Sequence, residues 1–160
     1  MSERESFLKR WEQEQEKFER VLEAVPAGRL DYRPHEKSRS AGELVTLLAR
    51  EQEMVVGLLD TGRVQFEQPK EEPLEAMKTL WRENTARVRE RLHKLDDSAW
   101  DSPVKFMMGA RVGNELPMSE MLWGFLLDMV HHRGQLSTYI RPMGGKVPSI
   151  YGPSADAGPQ

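Results

Sequence analysis

The sequence predicts an all-α fold: a four-helix bundle with a long loop between helices 3 and 4 and an ordered C-terminal tail. Three observations carry this. Four segments of about 20 or more residues place apolar side chains at helical spacing, turn formers separate them, and no stretch alternates as a strand does over a convincing length.

The first helix spans roughly Glu3 to Val25, with Phe7, Trp11, Phe18, Val21, Leu22 and Val25 on one stripe, and Pro26-Ala27-Gly28 ends it. A polar connection through Tyr32, Pro34 and His35 follows. Ser40 opens the second helix as N-cap, with Glu43 in the capping-box position. Its stripe is Leu44, Leu47, Met54, Val55 and Leu58, and Gly62 closes it. The third runs from about Pro73 to Leu95, with Leu74, Met77, Trp81, Thr85, Val88, Leu92 and Leu95 inward, a spacing suited to a bundle. Residues 96–116 form a long connection in which Met107-Met108 and Arg111-Val112 suggest at most a short extended piece. A loop of that length usually covers something. The fourth helix opens near Pro117 or Ser119 and closes at Pro142 and Gly144-Gly145. Val147, Ile150 and Tyr151 then need burial, so the tail reads as a strap laid over the bundle, with disorder after about Ser154.

A chain of 160 residues is one domain of ordinary size, and a net charge of −3 with interspersed signs offers no basic stripe for nucleic acid. Cysteine is absent, which excludes disulfides, thiolate metal sites and a cysteine nucleophile. No apolar run approaches the length of a membrane span and the start lacks a signal-like core, so a cytoplasmic protein without membrane partners is expected. Gly109-x-x-x-Gly113 lacks the Lys-Ser/Thr and the context of a P-loop, and neither a Ser-His-Asp arrangement nor a Rossmann fingerprint is present.

The chemistry concentrates in Asp128-Met129-Val130-His131-His132-Arg133-Gly134-Gln135. Asp128 and His132 share a helical face with Met121, Phe125, Leu136 and Tyr139, so a carboxylate and an imidazole are expected to face the core, as a hydrogen-bonded pair or as two metal ligands. Glu51 interrupts the stripe of the second helix, and Glu14 that of the first. Three such interruptions favour one shared polar centre, and bundle cores are where such centres are built. The alternative pairs Glu51 with Arg133 or Arg50 and leaves Asp128 and His132 to each other. Gly134 suggests a close helix contact. Trp123, Leu126, Leu127 and Val130 lie opposite His132 and need a cover, from the 96–116 loop or from a second subunit in a homodimer.

The stretch His131-His132-Arg133-Gly134-Gln135-Leu136-Ser137-Thr138-Tyr139-Ile140-Arg141 resembles the signature of the DinB/YfiT-like superfamily of bacterial four-helix-bundle proteins. Tyr32-Arg33-Pro34-His35, Lys37-Ser38, Ser40 and Gly42-Glu43-Leu44 resemble its entry into the second helix. Val147-Pro148-Ser149-Ile150-Tyr151-Gly152-Pro153 is similar to the tail of one branch. The resemblance implies three metal-binding histidines, one on the second helix and a His-x-x-x-His pair on the fourth. Those positions fall at Leu47, Asp128 and His132, so only His132 matches. Glu51, one turn beyond Leu47, has the reach to substitute. One imidazole with two carboxylates shifts preference from zinc or nickel towards manganese, iron or more weakly held zinc.

The expected function is a divalent-metal-dependent enzyme of thiol transferase, isomerase or hydrolase type with a degenerate triad of His132, Asp128 and Glu51. Gln135 and Tyr139 would contact a small-molecule or thiol substrate. The cofactor is a divalent metal (Zn, Mn, Fe or Ni), or none if the altered triad does not function. The alternative is a metal-free, dimeric binding or stress-response module in which Asp128 and His132 are a structural pair. A DNA-handling role, which the family's damage-inducible name suggests, is disfavoured by charge.

Overall fold

The computed structural model describes residues 1–67 and 70–158. Four long helices dominate: α1 (Glu3–Ala24), α2 (Ala41–Thr61), α3 (Leu74–Lys94) and α5 (Met118–Tyr139), with a one-turn α4 (Asp97–Trp100) and a 3-10 turn at Ala27–Arg29. Local chemistry sets their ends. Ser2 with Glu5, and Ser40 with Glu43, each close a capping box, satisfying backbone N–H groups that the first helical turn leaves free. α2 stops at Gly62, whose φ of 68° lies in the left-handed region that a side chain disfavours. α3 and α5 begin directly after Pro73 and Pro117.

The predicted stripes of α1, α2 and α3 face one core, in which Phe7, Trp11, Phe18, Leu44, Leu48, Trp81 and Val88 are essentially inaccessible. Phe18 packs on Trp81 at 4.9 Å, and Phe7 meets both Trp100 and Trp123. α2 packs against α3 and α5, and α1 completes the bundle against the same two helices. No helix among the described residues is long and apolar enough to cross a membrane.

The fold is not all-α, and this corrects the sequence reading. Residues 96–116 contain α4 and most of a β-hairpin, β2 (Pro103–Met108) and β3 (Arg111–Pro117), and β1 (Arg63–Gln65) pairs in parallel with β2. Gly109, at φ 62°, starts the two-residue turn between Met108 and Arg111. The hairpin runs straight into α5, which sets Phe106 and Leu116 against the start of that helix. Its strands are legible only weakly in sequence: a register shift between Phe106 and Met107 breaks the alternation, and Val104 is the one fully buried hairpin position.

The tail also differs from expectation. Val147 and Ile150 are partly buried, but the Tyr151 ring is largely exposed and only its hydroxyl reaches inward. Residues 154–158, expected to be disordered, are tied down instead. Asp156 accepts from Arg141 and from the backbone of Val147, and Ser149 donates to the carbonyls of Ala157 and Gly158. Gly134 sits at no helix contact: a Cβ there would meet open space.

Candidate metal centre

The core-facing stripe of α5 is Leu122, Leu126, Met129, Arg133, Leu136 and Ile140. Asp128 and His132 lie on its flank, about 100° round the helix from Arg133 in the case of His132. The sequence reading placed this pair on the core face. The structure puts Asp128 on the surface and leaves His132 half-buried. The expected single polar centre is therefore two.

The first is closed and fully paired. Arg133, 1% exposed, donates to Glu14 at 2.8 Å and to the Tyr151 hydroxyl at 2.6 Å. Tyr151 donates to the same Glu14 oxygen at 2.7 Å, and Lys17 reaches the other at 3.2 Å. The Arg133 guanidinium lies 4.4 Å from the centre of the Phe18 ring. Burial pushes the Glu14 carboxyl up, but the bonds from Tyr151, Arg133 and Lys17 outweigh it and hold the pKa below the usual carboxylate value. Sequence reasoning missed this centre as a separate one. The available signal was a pair of complementary interruptions, an acid in the α1 stripe and an arginine in that of α5.

The second is open and only loosely paired. Glu51, 4% exposed on α2, faces His132 Nε2 at 3.9 Å, and Asp128 Oδ2 lies 3.5 Å from the same nitrogen. One ligand atom from each of the three falls within 4.8 Å of the others. The two separations from Nε2 are too long for good hydrogen bonds, whereas the protonated Glu51 carboxyl is placed to donate to Asp128. Glu51 Oε2 is buried and has no hydrogen-bond partner. Burial and then the neighbouring Asp128 push the Glu51 pKa up to about 9, against a smaller opposing pull from Arg39. Neither proposed arginine relieves it, because Arg133 binds Glu14 and Arg50 binds Glu53 and Glu72.

His132 is oriented by its own helix. The Gln135 side-chain oxygen lies 2.8 Å from Nδ1 and accepts from it, which fixes the ring so that Nε2 is the nitrogen turned towards the carboxylates. Gln135, expected to touch substrate, is thus engaged with the histidine. Tyr139, the other expected substrate contact, lies about 10 Å further along the helix, buried, and donates to the Arg39 carbonyl at 3.2 Å. Leu47 is buried in the core and offers no ligand atom.

The donor set suits a divalent cation. Two carboxylates would balance two positive charges, the imidazole would supply a neutral nitrogen, and the Glu51 oxygen that meets no donor would gain a partner. Beside the triad runs a groove of about 350 Å³ lined by Phe106, Leu116, Glu120, Met121, Gly124, Phe125 and Asp128.

A family model, the DinB family, matches residues 1–158. Among solved structures the fold is similar to a DinB-like protein from Bacillus cereus, with a TM-score of 0.73 and 22% identity over 92% of this chain and 97% of that one. A DinB-like protein from Bacillus subtilis is similar at a TM-score of 0.68 and 22% identity, over 87% and 92% of the two chains. A mycothiol-dependent maleylpyruvate isomerase is similar at a TM-score of 0.62 and 14% identity, with 92% of this chain spanning 64% of that one. No curated protein matches the chain significantly. At these identities the solved structures speak for the fold alone, and the family model extends the assignment to nearly the whole sequence: the chain belongs to the DinB family.

Proposed function

We propose that the protein is a divalent-metal-dependent enzyme that activates a thiol or water nucleophile at Glu51, Asp128 and His132, in a reaction of transferase, isomerase or hydrolase type. One observation carries the reading: three potential ligand atoms converge within 4.8 Å, and the Glu51 carboxyl among them is buried with an oxygen that meets no donor. A bound cation at such a site lowers the pKa of a coordinated thiol or water, so that a nucleophile exists at neutral pH. Manganese, iron and zinc fit one imidazole with two carboxylates better than nickel does. The thiol arm of the proposal draws support from the mycothiol-dependent isomerase that shares the fold.

The chain's own residues have distinct tasks. Gln135 fixes the tautomer and rotation of His132, and the low-dielectric surroundings of Glu51 strengthen its attraction for a cation. Asp128, on the solvent side, stands where the triad meets the groove. A homodimer through the outer side of α5 belongs to the same proposal, supported by Leu127, which is 63% exposed.

The test is metal analysis of untagged protein, followed by equilibrium dialysis against Mn²⁺, Zn²⁺ and Ni²⁺. One equivalent should bind, and His132→Ala should weaken binding by about 100-fold or more. Protein that arrives without metal and refuses all three cations contradicts the proposal and leaves the metal-free module.

A further inference from the structure

The groove beside Asp128 has properties that the triad does not explain. Its wall is apolar, built by Phe106 and Leu116 from the hairpin and by Met121 and Phe125 from α5. Its two charged lining residues are both acidic, Glu120 and Asp128, and no basic side chain lines it. These carboxylates stand eight residues apart on one helix, about 12 Å along its axis. Between them lies Gly124, in mid-helix, where glycine costs about 1 kcal/mol relative to alanine. No neighbouring element crowds that position: a Cβ would meet nothing within 4 Å. Its effect is to deepen the groove floor between the two acids.

We infer that this groove seats a small hydrophobic amine, its aryl or alkyl body against Phe106, Leu116, Met121 and Phe125 and its ammonium on Glu120. The inference rests on the metal-site reading for its catalytic sense, since it makes such an amine the substrate class presented to the triad. With a cation held by Asp128, Glu51 and His132, the carboxylates of the triad are neutralised and Glu120 is the remaining negative charge on the groove. An anionic ligand finds no counter-charge among the lining residues and meets repulsion from Glu120, so its only attraction is to the cation itself, which the metal-free samples remove. A neutral ligand gains the apolar contacts alone. Charge complementarity therefore ranks amine over alcohol over carboxylate on a common hydrophobic body.

The experiment compares 4-phenylbutylamine, 4-phenylbutanol and 4-phenylbutyrate by calorimetry or ligand-observed NMR, on protein with and without added Mn²⁺. Metal content is measured separately in every sample. In the metal-free samples the amine should bind at least tenfold more tightly than the carboxylate. Glu120→Gln should remove the amine's advantage over the alcohol. Gly124→Leu should weaken amine binding at least tenfold by filling the groove floor, with helical content and metal content unchanged. Equal binding of amine and carboxylate overturns the inference, as does a Gly124→Leu protein that binds the amine like the unaltered chain. Amine binding that responds to both substitutions in protein that takes up no metal upholds the groove and defeats the metal reading alone. Metal binding without amine selectivity does the reverse.

Discussion

Arg133 and His132 are neighbours in sequence, yet they belong to two centres of opposite character. Around Arg133 every polar group is answered: guanidinium, phenol, carboxylate and ammonium close on one another beneath the strap, and Glu14 is stabilised as an anion. Around His132 the groups approach loosely, one buried Glu51 oxygen meets no donor, and the Glu51 proton is retained to about pH 9. A centre built for stability pairs its charges within the chain. A centre in which a buried carboxyl converges with an imidazole and a second carboxylate at loose distances is open to a ligand.

The sharpest break in that comparison is Arg133→Leu. It leaves Glu14 buried without its main partner and should cost about 3–5 kcal/mol, a fall in Tm of roughly 6–20 °C. Adding Glu14→Gln should recover much of the loss, while metal binding is retained in the single variant when it is assayed below its transition. A loss under about 1 kcal/mol would mean that the closed centre is not structural.

The open centre should answer with the opposite sign. In metal-free protein the folded Glu51 holds its proton to about pH 9, whereas the ordinary value is 4.5. Its contribution is therefore fully present below pH 4.5 and is lost as pH rises towards 9, with a slope of up to about 1.4 kcal/mol per pH unit. Glu51→Gln should flatten this decline and raise alkaline stability while abolishing metal binding. Bound metal must displace the same proton, so affinity for Mn²⁺ or Zn²⁺ should rise with pH across that window. Glu14, held below the usual value, contributes in the other direction: its share is present above pH 4.5 and is lost as pH falls. Urea denaturation from pH 4 to 9 separates the two, and identical pH profiles for Glu51→Gln and the unaltered chain would contradict this assignment.

The smallest effect expected is that of Tyr151→Phe. It deletes the hydroxyl that bonds both Arg133 and Glu14 while leaving their direct contact, a loss of about 1–2 kcal/mol. Amide exchange should speed up in residues 147–158 with no change at α2 or the triad. Uniform acceleration throughout the bundle would show that the strap is part of the global folding unit.

The four long helices were legible in the sequence because their information is local: apolar spacing, the Ser40–Glu43 capping box, Gly62, and Pro73 and Pro117. The sheet was not, since its strands are short, mostly exposed and interrupted by the shift at Phe106–Met107. Residue type and spacing singled out Glu51, Asp128, His132 and Glu14 as polar groups out of place. How they divide was hidden, because the partners are distant in sequence: Glu14 finds Arg133 and Tyr151 across more than a hundred residues. A helical wheel also tolerates a shift of one position, enough to put His132 where Arg133 belongs. The resemblance at Leu47, Asp128 and His132 pointed to a deficient histidine set, and the proximity of Glu51 is what three-dimensional packing adds.

Anomalous diffraction from crystals soaked in Mn²⁺ tests the central claim most directly. One peak should appear among Glu51, Asp128 and His132 Nε2, about 2.0–2.3 Å from an atom of each, and should vanish in His132→Ala crystals. A peak elsewhere, or an empty triad in crystals soaked above pH 8, would contradict the assignment of a metal centre to these three residues.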